Sequence, residues 1–258
     1  PKSYKNYLLH VPFLLRCLAL VLVILVLARP QTTNKWQNSE IEGIDIMLAI
    51  DVSTSMLAED LKPNRLEAAK DVAAEFINGR PNDNIGITLF AGETFTQCPL
   101  TVDHAVLLDM IHNIKCGLIT DGTAVGMGIA NAVTRLKDSK AKSKVIILLT
   151  DGTNNKGDIS PMTAAEIAKS FGIRVYTIGV GTNGMAPYPY PVGNTVQYVS
   201  MPVEIDEKTL TEIAGTTDGN YFRATSNSKL KEVYEEIDKL EKTKLNVKEY
   251  SKRDEEYH

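Results

Sequence analysis

The 258-residue sequence predicts an α/β fold: a mainly parallel central sheet with one antiparallel edge strand and helices on both faces, preceded by a transmembrane helix. Three observations predict it. From Gly43 onward, apolar runs of strand length alternate with segments of helical period, the pattern of a sheet wrapped by helices. Two of those runs, 46–50 and 145–149, are almost continuously apolar, as strands buried on both faces must be. Ahead of them, Val11 to Ala28 is strongly apolar, uncharged from Cys17 onward and closed by Arg29-Pro30.

As a helix, the apolar stretch would be roughly 27 Å long at about 1.5 Å per residue, close to the hydrocarbon thickness of a bilayer. Arg16 lies near one end, where its long side chain can snorkel to the headgroups. A signal peptide would need small residues at a cleavage site, which Leu27-Ala28-Arg29-Pro30 does not supply. A buried core helix would carry a polar face. The chain therefore divides into a juxtamembrane segment (1–10), a transmembrane helix (11–29), a polar linker (30–42), a globular domain (43–242) and a charged tail (243–258). Lys2, Lys5 and Arg16 precede the span and Arg29 and Lys35 follow it, a weak bias toward a cytoplasmic N-terminal side.

In the globular domain, strands are predicted at Ile44–Ile50, Ile85–Phe90, Val145–Thr150, Ile173–Val180 and Asn220–Arg223. Thr94–Pro99 should pair back on its predecessor through Ala91-Gly92. Asn64 and Glu67 form a capping-box-like start for a helix whose inner face is Leu66, Ala69, Ala73, Phe76 and Ile77, with Gly79 at its end. Ser160-Pro161 caps a second helix, with Ala164, Ile167, Ala168 and Phe171 on one face and Gly172 as the stop. Asp206 starts a third through Leu210, Ile213 and Ala214, and the last presents Leu230, Val233, Tyr234, Ile237 and Leu240. No internal repeat is visible, and beyond Lys242 the apolar periodicity stops.

Charge narrows the function classes. The first thirty residues carry Lys2, Lys5, Arg16 and Arg29 and no acid, so the remainder holds the other 24 bases against all 32 acids, a balance of −8. An acidic body argues against nonspecific nucleic-acid binding, which needs a basic surface to displace counterions. Three cysteines, Cys17, Cys98 and Cys116, are too few for a disulfide scaffold.

The chemistry concentrates where the two most apolar strands end. One finishes in Asp51-Val52-Ser53-Thr54-Ser55, the other in Thr150-Asp151-Gly152. Ligands of open α/β sheets bind beyond the carboxyl ends of strands where strand order reverses, and two crossovers leading opposite ways would make these strands neighbours. Two carboxylates and several hydroxyls, with no His or Cys, suit Mg²⁺, Mn²⁺ or Ca²⁺ rather than zinc. Two negative charges balance a dication, and neutral hydroxyl ligands leave it able to accept a carboxylate from outside.

Asp51-x-Ser53-x-Ser55, the threonine of Gly122-Thr123 and Asp151 of Thr150-Asp151-Gly152 resemble the metal-ion-dependent adhesion site of von Willebrand factor A domains, over roughly residues 43–242. That resemblance implies a Rossmann-like domain in which Asp51, Ser53, Ser55, Thr123 and Asp151 hold a divalent cation, the aspartates directly or through water. Asp121, beside the threonine, stays outside that set. LKPNRLEAAK, YTIGVGT and GNYFRAT behind a basic-flanked apolar helix are further similar to the bacterial Bat aerotolerance proteins. The likeness implies a domain on the periplasmic side of the inner membrane, with an acidic protein partner and with other Bat proteins and a MoxR-type AAA+ ATPase as associates.

Gly179-Val-Gly181-Thr-Asn-Gly184 has the spacing of a dinucleotide fingerprint, yet the following Met185-Ala-Pro-Tyr-Pro-Tyr-Pro191 cannot open the helix that receives a pyrophosphate. The segment reads as a loop to about Met201 that brings Tyr188 and Tyr190 within reach of a partner. His104 and His112, eight apart on a helix with no acidic motif between them, read as structural. No nucleophile–base pair stands out, so the expected function is a noncatalytic binding module. The alternatives are a Mg²⁺-dependent aspartyl phosphotransferase using Asp51, disfavoured by Ser53 where a second acid belongs, and a surface adhesin, disfavoured by the short linker.

Overall fold

The structure, a computed structural model, describes residues 11–28 and 43–255 apart from positions 153, 183, 193 and 194. The chain forms two units, residues 1–40 and 41–258. In the first, helix α1 spans Val11–Ala28, and its described apolar side chains, Phe13, Leu15 and Leu18 among them, are exposed. Among the described residues, no helix is long and apolar enough to cross a membrane, so the expected transmembrane span is not borne out by α1 as described.

The second unit carries the sheet. Strands β1 (Asp45–Asp51), β2 (Asn84–Phe90), β3 (Thr94–Thr101), β4 (Lys144–Thr150), β5 (Ile173–Val180) and β8 (Tyr221–Ala224) lie in the order β3-β2-β1-β4-β5-β8. Only β3 runs antiparallel, pairing β2 across the expected turn. β1 sits between β2 and β4, so the chain leaves β1 on one side and returns on the other. That reversal opens the crevice at the strands' carboxyl ends.

Strand periodicity sorts side chains to two cores. Ile46, Leu48 and Ile50 of β1 and Val145, Ile147 and Leu149 of β4 pack with α2 (Arg65–Asn78), α3 (His104–His112) and α7 (Asn227–Glu255). Met47 and Ala49, with Ile146 and Leu148, face α4 (Val125–Leu136), α5 (Pro161–Ser170) and α6 (Glu207–Thr216). Both strands are thus buried on each face, which explains their unbroken apolar runs. Asn64 and Ser160 cap α2 and α5 by accepting from the amides of Glu67 and Thr163. Ile167 and Phe171, expected on the inner face of α5, are exposed, and Ala164, Ala165 and Ala168 make that face instead.

Two elements depart further from expectation. Helix α4 has no counterpart among the expected elements, and Gly126 and Gly128 lower its helix propensity. Both glycines serve close packing: a Cβ on Gly126 would lie 2.1 Å from the Ile159 carbonyl oxygen, and one on Gly128 2.8 Å from the Phe90 ring. The segment expected as a loop forms an antiparallel hairpin, β6 (Gly184–Val192) with β7 (Thr195–Val203). Pro187, Pro189 and Pro191 alternate, so their missing amides all fall on the edge facing away from β7. The Pro187 carbonyl on that edge accepts from the Glu59 amide at 2.9 Å, which pins the hairpin beside the turn that follows β1.

Helix α7 buries Leu230, Val233, Tyr234 and Ile237 as expected, and continues to Glu255 through the charged segment, where no glycine or proline interrupts it. Near the opposite end of the sheet its Glu241, 1% exposed, accepts from Tyr176 (2.5 Å), Ser143 (2.8 Å) and the Arg174 guanidinium. Burial pushes this carboxyl up, but the hydrogen bonds from Arg174 and Tyr176 outweigh it and hold it below its ordinary value. Its contribution is therefore present at neutral pH and is lost as pH falls through the depressed pKa. Glu241→Gln is expected to cost about 2–4 kcal/mol in urea unfolding at pH 7 by stripping the partner from Arg174. It should also flatten the acid limb of stability against pH.

Candidate functional site

β1 ends in Asp51, and the chain turns at once into Ser53 and a 3-10 turn over Thr54–Leu57. Asp51 is fully buried and orders its own loop: one oxygen accepts from the Ser53 amide at 2.9 Å, the other from the Thr150 hydroxyl at 2.7 Å. Ser53 Oγ lies 2.9 Å from Ser55 Oγ, and Ser55 Oγ donates to Asp151 Oδ1 at 2.7 Å. Residues from the ends of β1 and β4 thus form one hydrogen-bonded chain.

The third loop, between α3 and α4, brings Thr123. Asn155 clasps it, its side chain accepting from the Thr123 amide at 2.9 Å and its own amide donating to the Thr123 carbonyl at 3.0 Å. Thr123 Oγ1 approaches the Asp151-Gly152 turn so closely that a Cβ on Gly152 would meet it at 3.3 Å. A cavity of about 340 Å³ opens over these groups, lined by Ser55, Thr123, Asp151 and Asn155 on one side and by Pro202 and Val203 of β7 on the other.

Tyr188 and Tyr190 lie across an adjoining groove of about 330 Å³ that shares Ser55, Arg65, Pro202 and Val203 with the first. Asp121 is engaged elsewhere, accepting from the Thr54 amide (3.0 Å) and hydroxyl (2.8 Å). His104 bonds the Asp83 carbonyl at 3.0 Å, and His112 is exposed. Cys17, Cys98 and Cys116 are free thiols, and Cys116 donates to the Ser53 carbonyl at 3.4 Å.

The sequence reading missed Arg65. This residue opens α2, is 3% exposed, and grips Asp60 with Nε and Nη2, both at 2.7 Å, while Nη1 reaches Asp151 Oδ2 at 2.5 Å. Its signal was an arginine at the first turn of an otherwise apolar helix face, which periodicity alone treats as solvent-facing.

Electrostatics fit a cation. Burial, and then the neighbouring Asp151, raise the Asp51 carboxyl to about 7. Burial also raises Asp151, and Arg65 pulls against that rise. Asp60 takes up much of the Arg65 charge, so the two buried carboxylates lack full compensation, a deficit that a dication would remove. Among the described residues, no three His, Cys, Asp or Glu side chains cluster in a way that could hold a metal. Any cation here would take much of its shell from hydroxyls, and Asp51, Ser53, Ser55, Thr123 and Asp151 offer oxygen donors that could hold a divalent cation.

Comparison with known proteins agrees with the architecture. A protein of Borreliella burgdorferi is 28% identical over 250 residues, covering 96% of this chain and 73% of that protein. A UPF0353 protein of Nocardia farcinica is 31% identical over 92% of this chain and 73% of its own length. Among solved structures, the BatB protein of Bacteroides thetaiotaomicron is 34% identical with a TM-score of 0.68, covering 78% of this chain and all of that one. An aerotolerance-related membrane protein of Bacteroides fragilis is likewise 34% identical, with a TM-score of 0.66 over 76% of this chain and all of its own. Proximal thread matrix protein 1 of the mussel byssus, solved with zinc in its MIDAS motif, is 25% identical with a TM-score of 0.61, over 77% of this chain and 45% of its own. The family description "von Willebrand factor type A domain" matches residues 45–236, and the chain belongs to that family.

Proposed function

We propose that this chain is a membrane-anchored von Willebrand factor A domain that docks an acidic protein partner through a divalent cation. The observation that carries the reading is the convergence of hydroxyls and buried carboxylates from three loops beneath one open cavity. Asp51, Ser53, Ser55, Thr123 and Asp151 hold the cation, Mg²⁺ first, with Mn²⁺ or Ca²⁺ as substitutes. The cation supplies Lewis acidity toward a carboxylate from the partner. The chain's own groups orient it: Thr150 and the Ser53 amide fix Asp51, Ser55 and Arg65 fix Asp151, and Asn155 fixes Thr123. Tyr188 and Tyr190, in the groove beside Ser55, give the partner an aromatic contact.

The exposed apolar face of α1 and the membrane protein among the structural relatives support a tether to the bacterial inner membrane, with the domain on the periplasmic side. The same relatives support an aerotolerance-related role, in which the chain would act in an envelope complex with other Bat proteins and a MoxR-type ATPase as associates. Noncatalytic docking is preferred over aspartyl phosphotransfer because position 53 is serine where that chemistry wants an acid. An affinity pulldown from membranes, with Mg²⁺ or with chelator, tests the proposal. It predicts one partner retained only with Mg²⁺ and lost with Asp51→Ala. Metal-independent retention would overturn it, as would phosphate-ester turnover abolished by Asp51→Asn.

A further inference from the structure

Arg65 is not among the residues proposed to hold the cation, yet it is built into their midst. Its guanidinium is fixed from three sides. Asp60 binds it in a two-point fork at 2.7 Å and 2.7 Å, and Asp151 Oδ2 accepts from Nη1 at 2.5 Å. The backbone at Gly181 closes the third side, since a Cβ there would come within 2.8 Å of Nη2. Asp60 is itself held by the amide and hydroxyl of Thr182 at 2.7 and 3.1 Å. A guanidinium buried and gripped in this way cannot swing out to solvent at little cost, so its charge stays beside the site whether or not a cation is present. The other nearby base, Lys156, pairs electrostatically with Asp121 instead.

Fixing a positive charge on Asp151 has two opposed consequences. Both oxygens of Asp151 are engaged, Oδ1 by Ser55 and Oδ2 by Arg65, so part of the negative charge the protein offers is already matched. A dication entering the site is repelled by the guanidinium and incompletely neutralised, which weakens its binding. The same incomplete neutralisation leaves more positive charge on the bound dication, which strengthens its attraction for a carboxylate from outside. We infer that Arg65 is a charge-tuning residue that lowers the site's affinity for the dication in order to raise the dication's affinity for an acidic ligand. The inference rests on the proposed metal site and adds a residue and a direction to it.

The test uses the full chain with Mn²⁺ as metal and acetate as carboxylate probe. Mn²⁺ affinity is read by titration calorimetry, and acetate binding by the fall in water-proton relaxation as acetate displaces water from bound Mn²⁺. Arg65→Gln removes the charge. The double variant Asp60→Asn/Arg65→Gln removes both ends of the ion pair and so covers a failure of the single variant to fold; because Arg65 and not Asp60 touches Asp151, it should move both affinities in the same directions as Arg65→Gln, by less. Charge removal should tighten Mn²⁺ at least tenfold and weaken acetate at least about threefold, the factors expected for a unit charge about 6 Å away even at the dielectric constant of bulk water, about 80, with acetate carrying half the charge of the dication. Arg65→Lys keeps the charge but loses the fork to Asp60, so it should shift both affinities less than Arg65→Gln does. Opposite movement of the two affinities is what a purely structural role would not produce. Joint weakening, or no change, while the parent binds Mn²⁺ would overturn the inference alone. A parent that binds no Mn²⁺ would overturn the metal site and the inference together.

Discussion

Replacing Arg65 by alanine should destabilise the metal-free domain by about 3–5 kcal/mol, the range for stripping one partner from a buried ion pair. Both of its acceptors are affected: Asp60 and Asp151 would each lose the guanidinium they pair with. Chemical denaturation in chelator measures this directly. Adding Mg²⁺ should restore part of the loss, because the dication compensates Asp151 where the guanidinium did. Asp60 lies outside the proposed ligand set, so the restoration should be partial.

Asp51→Asn should act in the opposite sense, raising the stability of the metal-free domain while abolishing its response to Mg²⁺. Burial and Asp151 raise the Asp51 carboxyl from its ordinary 3.8 to about 7. For an acid shifted upward, the folded state binds the proton more tightly than the unfolded chain does. The stability this confers is fully present below the unfolded pKa and is lost as pH rises through about 7. The parent in chelator should therefore lose on the order of a few kcal/mol between about pH 4 and pH 8 from this group, and the asparagine variant should not. Saturating Mg²⁺ should reverse the slope in the parent, adding about 2.7 kcal/mol when it stands at roughly a hundred times its dissociation constant. The variant should show no such gain. Glu241 contributes with the opposite sign on the acid side, so the comparison is cleanest in a Glu241→Gln background.

The alternation of runs and periods made most of the central sheet and four of its helices legible, because strands buried on both faces must be apolar throughout. The position of the site followed from the same logic, since Asp51 and Asp151 end neighbouring strands where the chain reverses direction. Helix α4 was hidden because Gly126 and Gly128 are chosen for close approach to Ile159 and Phe90, at the expense of helix propensity. The β6–β7 hairpin was hidden by three prolines whose alternation places every missing amide on the same outer edge. The link from Arg65 to Asp151 was hidden for a different reason. A buried charge is defined by partners distant in sequence, 86 residues away in the case of Asp151, and no local pattern announces them.

Diffraction from a crystal of the domain soaked in Mn²⁺, recorded at a wavelength where manganese scatters anomalously, tests the central claim most directly. One anomalous peak within coordinating distance of Ser53, Ser55 and Thr123, beside Asp51 and Asp151, is the predicted result. A peak elsewhere, or none with these five side chains still in their hydrogen-bonded arrangement, would contradict it.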